Sequence, residues 1–249
     1  IMTVDYLNFK NKFDDEGYFV LKNFLQKDFI SNLVEEINKS TNTVKYFDNS
    51  KNLRRIEKLY NKGQYLIKMN EKILSLLKNV FDKDFLIFKD KFNAKPPGGE
   101  GFFAHYDGVF EFINSNNEIK KGWYEYGDFF VSALVAIDKC NKENGALEIA
   151  KSHKGNFDQL YENTKKDGTP ALSNDIESKT KFNLIDLKIG DMIIFSNRCP
   201  HRSKKNDSQN VRRIIYYTYS LSSNGSKYDQ YFKDKENSKN KSKALSEKS

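Results

Sequence analysis

Gly101-Phe-Phe-Ala-His-Tyr-Asp-Gly-Val-Phe-Glu-Phe112 and Gly190-Asp-Met-Ile-Ile-Phe-Ser-Asn-Arg-Cys-Pro-His201 are the stretches whose reading decides the fold. His105 and Asp107 stand two apart. On a strand, side chains alternate with period two, so both point to one face and can bind one metal together. His201 follows an apolar strand that begins just after the Gly190-Asp191 turn. It can close the set into two imidazoles and one carboxylate on one side of an ion. Arg212 comes eleven residues after His201.

That ligand set leaves metal positions open and is the one non-haem Fe(II) oxygenases use. A basic residue downstream of the second His can hold the far carboxylate of a 2-oxoglutarate cosubstrate. Arg212 and Arg213 are neighbours on an expected strand, so only one of them points inward. Ile214, Tyr216, Thr218 and Ser220 share the face of Arg212 and suit a wet pocket floor, which favours Arg212. Its planar guanidinium grips a carboxylate with two parallel hydrogen bonds, as Lys cannot. Cys199 reads as a small buried hydrophobe near a strand end rather than a ligand. His153, in Lys151-Ser-His-Lys-Gly155, reads as structural.

Upstream of this pair the chain is mainly helical. Asp5 to Glu16, Gln26 to Lys39 and Glu71 to Phe81 are expected helices, the last two with apolar residues at helical spacing. Gly17 to Leu21 is an expected short strand. From Phe85 the period changes to that of strands: Phe85 to Phe92, Asp128 to Ile137, Ala146 to Ala150, Phe182 to Leu187, Met192 to Phe195 and Arg212 to Leu221. Pro96-Pro-Gly-Gly99 and Asn144-Gly145 are turn signals. Residues 152–180 are polar and read as a long loop over a barrel mouth. Helices followed by many strands predict a mainly β fold, a double-stranded β-helix (jelly roll, cupin-like) buttressed by N-terminal helices. One domain is expected over 1–249: a helical buttress at 1–84, a jelly-roll core at 85–221 and a polar tail at 222–249, whose last twenty residues should fray.

Composition narrows the function. The 249 residues carry a formal charge of +8, but Lys and Arg are scattered among Asp and Glu, which argues against nucleic acid as a partner. A basic rim drawing in a small anion fits better. No apolar run is long enough for a membrane span, and Ile1 to Leu25 lacks the pattern of an export signal. Cys140 and Cys199 are too few for a disulfide framework, so the cytoplasm is the expected location.

Taken together, the motifs resemble the phytanoyl-CoA dioxygenase family of Fe(II)- and 2-oxoglutarate-dependent oxygenases. Asn93-Ala-Lys-Pro-Pro-Gly-Gly99, His105-Tyr-Asp107, Asn144-Gly-Ala-Leu147, Ser152-His-Lys-Gly155 and Gly190-Asp191 carry the likeness. His201-Arg-Ser203, Asn206, Ser208, Arg212 and Tyr231-Phe-Lys-Asp-Lys235 complete it. The resemblance implies iron bound by His105, Asp107 and His201, with O2 as cosubstrate. It implies that Arg212 binds 2-oxoglutarate, with Ser203 and Lys95 in support. Leu134 stands where some relatives place a Trp. Halogenating members lack the carboxylate, so Asp107 implies hydroxylation.

The pieces before His105 and at Tyr231–Lys235 look closest to the bacterial branch acting on small polar molecules, to which 2-aminoethylphosphonate hydroxylases belong. A small polar or zwitterionic substrate is therefore expected. Tyr106, Phe110, Phe112, Trp123 and Tyr124 are candidates for a cage around an ammonium group, and Lys residues with Arg198 for contacts to an anion. Two rival classes share parts of this pattern. A cupin-like metalloenzyme without 2-oxoglutarate leaves Arg212 unexplained, and a non-catalytic jelly-roll binding module leaves the three ligands unexplained.

Overall fold

The computed structural model describes residues 5–114 and 116–246, the last eight by backbone alone. Asp5 accepts a hydrogen bond from the Asn8 amide and opens helix α1 (Tyr6–Glu16). The helix ends at Gly17, which is left-handed at φ +85° and so close to Ser152 that a Cβ there would lie 2.3 Å from the Ser152 Cβ. Only glycine fits. Strand β1 (Tyr18–Leu21) and helix α2 (Lys27–Lys39) follow, as the pattern predicts.

Two strands come next that the sequence does not announce, β2 (Val44–Phe47) and β3 (Leu53–Glu57). Helix α3 (Gln64–Phe81) starts seven residues before the expected Glu71. Glu36 of α2 explains the difference, because its carboxylate accepts hydrogen bonds from the Tyr65 and Leu66 amides at 2.8 and 3.1 Å. Groups left free in the first turn are thus capped from another helix, which local pattern cannot show.

The strands then run β4 (Phe85–Lys95), β5 (Phe102–His105) and the small hairpin β6 (Phe112–Ile113) with β7 (Ile119–Lys120). After a 3-10 turn at Gly122–Glu125 come β8 (Phe130–Ala136) and β9 (Leu147–Ile149). The 152–180 segment, expected as a loop, holds two short helices, α4 (Phe157–Tyr161) and α5 (Asn174–Lys179). Asn156 and Gln159 form a reciprocal cap on α4, and Phe157 and Leu160 are buried against Ala104 and Tyr106. The chain closes with β10 (Asn183–Leu184), β11 (Met192–Ser196), β12 (His201–Ser203), β13 (Arg212–Leu221) and helix α6 (Tyr228–Ser246). The 222–249 segment is therefore helical over most of its length, and Tyr228 and Phe232 insert into the core. Residues 247–249 lie outside the described residues.

Two antiparallel sheets result. The larger has the order β1-β11-β8-β13-β4-β3-β2 and the smaller β10-β9-β12-β5. From β4 onward, eight strands are shared between the two sheets in the winding of a jelly roll, with β4, β8, β11 and β13 in the large sheet and β5, β9, β10 and β12 in the small one. Alternation along the large sheet separates two cores. Val131, Ala133, Val135, Ile215, Tyr217 and Tyr219 pack against α2 and α3. Leu134, Ala136, Ile193, Phe195, Ile214 and Tyr216 fill the barrel with Leu147 and Ile149. No helix among the described residues is long and apolar enough to cross a membrane.

Candidate active site

Pairing of β12 with β5 sets His201 directly opposite His105. The rings come within 4.2 Å, centroid to centroid. Each Nδ1 is bonded at 2.9 Å to the backbone carbonyl two residues earlier, Phe103 for His105 and Cys199 for His201. Those carbonyls accept, so Nδ1 carries the proton and Nε2 keeps its lone pair. Asp107, just past β5, lies between the two free nitrogens, with its oxygens 3.7 Å from Nε2 of His105 and 3.9 Å from Nε2 of His201. The backbone holds it there: the Asp107 amide donates to the Asn197 carbonyl at 3.2 Å, and the Asn197 side chain donates back to the Asp107 carbonyl.

Among the described residues, these three form the one group of His, Cys, Asp or Glu side chains able to share an ion, with ligand atoms all within 4.8 Å. Their charges suit a divalent cation. Burial pushes His201 down to about 4, helped by the nearby His105, so it is a neutral donor at neutral pH. Burial works to raise the Asp107 carboxyl, and the His201 and His105 rings with Lys91 outweigh it and keep it ionised. Two imidazole Nε2 atoms and one carboxylate, fixed from behind, fit Fe(II) with positions to spare.

The three ligands open into a cavity of about 650 Å³. Arg212 lines it and is only 4% exposed, and its Nε has no hydrogen-bond partner. Arg213 points the other way, into Asp138, as strand parity predicts. Lys95 lies opposite Arg212 in the β4–β13 pairing, and its Nζ donates to Ser203 Oγ at 2.9 Å and to the Gly145 carbonyl at 3.2 Å. Burial, with Arg212 beside it, brings Lys95 down to about 7. Lys95 Nζ donates also to the Lys204 carbonyl, so its three donors are met, and Arg212 with its orphaned Nε is the group that a bound carboxylate would complete.

Several expected contacts are not assembled. Of the proposed aromatic cage only Phe110 and Trp123 line the cavity. Tyr106 is fully buried and bonded to His153 and Asn163, while Tyr124 packs on Phe157 and Phe112 sits on the outer hairpin. The face of Trp123 is already taken by Lys89, with Nζ 4.7 Å from the ring centre. Arg198 is turned to the Asp128 carbonyl and is absent from the wall, as is Leu134, which sits in the barrel core. Cys199 is buried with its thiol toward the Gly17 carbonyl.

Sequence reasoning gave no individual place to other wall residues: Lys89, Lys91 and Asn93 on β4, Arg55 on β3, and Tyr231 and Lys235 on α6, the last two entering it only within a motif. The β4 set had a signal, polar residues at period two ending in Lys95. The others needed the tertiary fold.

Comparison with known proteins agrees with this geometry. The family model described as phytanoyl-CoA dioxygenase matches residues 13–214. A 2-aminoethylphosphonate dioxygenase from the uncultured bacterium HF130_AEPn_1 is 29% identical over 241 residues, covering 91% of this chain and 86% of its own. A methylphosphonate hydroxylase from Gimesia maris is 30% identical over 155 residues, 61% of this chain and 52% of that one. Among solved structures, EctD from S. alaskensis with bound Fe superposes with a TM-score of 0.66 at 17% identity, covering 90% of this chain and 80% of that one, a likeness of fold. Winding, match and cluster agree: the chain belongs to the phytanoyl-CoA dioxygenase family and is an iron- and 2-oxoglutarate-dependent dioxygenase.

Proposed function

We propose that His105, Asp107 and His201 hold Fe(II), that Arg212 holds the distal carboxylate of 2-oxoglutarate with Lys95 and Ser203 in support, and that the enzyme hydroxylates a C–H bond of a small polar molecule. The relative of that name makes 2-aminoethylphosphonate the first candidate substrate. The whole chain works as one dioxygenase domain in this reading, and its two free cysteines, Cys140 and Cys199, suit the cytoplasm. One observation carries the proposal: the three ligand groups open into the same cavity as an uncompensated, buried Arg212.

When bound, iron and 2-oxoglutarate supply the oxygen chemistry, with succinate and CO2 as coproducts. The protein does the rest. Backbone carbonyls of Phe103 and Cys199 hold the imidazoles with Nε2 facing inward. Asp107 fills the third protein position, which keeps halide out and directs the outcome to hydroxylation. Arg212 orients the cosubstrate, and Ile214 and Leu147 on the wall beside it limit water. Pre-set donors and acceptors of this kind cost no rearrangement at the moment of reaction.

The test is a panel of small amines, phosphonates and amino acids scored by substrate-stimulated succinate release, with the product made under 18O2 in excess bromide. A hydroxyl carrying label from oxygen gas supports the reading. A brominated product, or unlabelled hydroxyl, overturns it.

A further inference from the structure

Eight Lys and Arg side chains line the cavity against two carboxylates, Glu100 and Asp107. Half of these cations have carboxylate partners: Arg54 with Asp48, Arg55 and Lys235 with Glu57, and Arg202 with Glu148. Lys89, Lys91, Lys95 and Arg212 have no carboxylate partner among the described residues. These four fall into two groups. Strand alternation sets Lys89, Lys91, Asn93 and Lys95 on one face of β4, and the register places Lys95 beside Arg212 but Lys91 beside Tyr216. Four residues of strand separate Lys91 from Lys95, roughly 13 Å of backbone. The two pairs therefore do not close on the same carboxylate.

Lys89 and Lys91 are fixed by rings rather than by acceptors. Lys89 Nζ stands 4.7 Å from the Trp123 centroid and 5.2 Å from that of Tyr231. Lys91 Nζ stands 4.5 Å from the Tyr216 centroid. Ring faces hold an ammonium in place but do not neutralise it. Burial lowers both lysines, Lys91 to about 7 with Lys89 as the second cause, while Asp107 draws on both. Trp123, which seats Lys89, donates its amide to the carbonyl of Gly108, the residue after Asp107, at 3.1 Å, which places this end of β4 on the Asp107 side of the cavity. With Arg212 and Lys95 answered by 2-oxoglutarate, the remaining surplus of positive charge belongs to Lys89 and Lys91.

We propose that Lys89 and Lys91 form the subsite that holds a doubly charged head group of the substrate, a phosphonate or phosphate ester, apart from the carboxylate held by Arg212. This rests on the reading of the cavity as a 2-oxoglutarate oxygenase site. It also specifies what the aromatic wall does: Trp123, Tyr231 and Tyr216 seat the protein's own ammonium groups, not one belonging to the substrate.

The experiment uses the full chain, loaded without oxygen with Fe(II) and saturating 2-oxoglutarate, which gives a weak visible charge-transfer band. Methylphosphonate, inorganic phosphate and acetate are then titrated in and the change in that band is followed. Methylphosphonate should bind at least tenfold more tightly than acetate. Lys89→Gln and Lys91→Gln should each weaken it about tenfold or more, and Lys89→Arg and Lys91→Arg by only a few-fold. All four variants should titrate 2-oxoglutarate within about twofold of wild type. Should a Gln variant fail to fold, the Arg variant and the acetate comparison still decide. Absence of the band in wild type removes the oxygenase reading, and this subsite with it. A normal band with equal affinity for methylphosphonate and acetate, or equal loss of 2-oxoglutarate and methylphosphonate in the Gln variants, overturns the subsite alone.

Discussion

Asp138 holds the Arg213 guanidinium by two hydrogen bonds of 2.8 Å, on the face of β13 opposite Arg212. One strand thus spends one arginine on the surface and keeps its neighbour free inside. The two should respond very differently to removal. Arg212→Ala loses a charge-assisted pair to a buried carboxylate, about 2–5 kcal/mol, and should raise the KM for 2-oxoglutarate by a factor of roughly 30 or more. Arg213→Ala loses a part-exposed ion pair, about 0–1 kcal/mol of stability, with little change in that KM. Steady-state kinetics with 2-oxoglutarate varied checks both, and a reversed order would assign the cosubstrate to Arg213.

His105→Ala, Asp107→Ala and His201→Ala should each abolish turnover and leave the purified protein with little iron. Loss of one ligand from three removes a large part of the affinity, and of the three only His201, whose ring packs on Phe195, also gives up a contact with the barrel core. Iron content by elemental analysis and far-UV circular dichroism make the comparison. A variant with full iron and full activity would take that residue out of the site.

Proton uptake should accompany cosubstrate binding. Burial and Arg212 lower Lys95 from its ordinary value to about 7. A lysine lowered on folding weakens the empty fold as the pH falls from its unfolded value toward 7, because over that range the unfolded chain takes up a proton that the buried amine does not. Between pH 7 and 10.5 it is mostly neutral, and a carboxylate arriving beside it restores the charge. At pH 8, calorimetric titration of 2-oxoglutarate in HEPES and in Tris should give different enthalpies, reporting uptake of up to one proton. Lys95→Met should remove the difference.

Phe232→Ala should cost about 3–5 kcal/mol, as for other buried aromatic deletions. Phe232 is 7% exposed and packs with Tyr228 in the core. Thermal or urea denaturation measures it. A loss below 1 kcal/mol would mean that α6 is not a fixed part of the fold.

Arg212 against Arg213 is legible because strand parity is a local property that needs only period two; β5 ends at His105, so Asp107 is set beside it by its backbone contacts to Asn197 and not by the parity expected of a strand. Strands β4, β8, β9, β11 and β13 are legible from apolar runs bounded by turn signals, whereas β12 is unmarked and only Asn183–Leu184 of the expected Phe182–Leu187 strand forms. Helix α3 begins earlier than its apolar pattern because Glu36 caps it from α2, and β2 and β3 are polar strands held by pairing, β3 to β4 and β2 to β3. Helix α6 is hidden for a related reason, since three aromatics, Tyr228, Tyr231 and Phe232, anchor an otherwise charged stretch. The cage expected from Tyr106, Phe112 and Tyr124 fails because composition shows that aromatics are present without showing which of them are already used in packing.

Arg55 reaches the cavity from β3, and Tyr231 and Lys235 reach it from α6, yet neither element belongs to the eight strands that bring His105 and His201 face to face. The cavity wall is therefore drawn from three pieces of chain, while the three groups able to share an ion come from the barrel alone. A change in the outer strand pair or the last helix can reshape that wall without moving His105, Asp107 or His201.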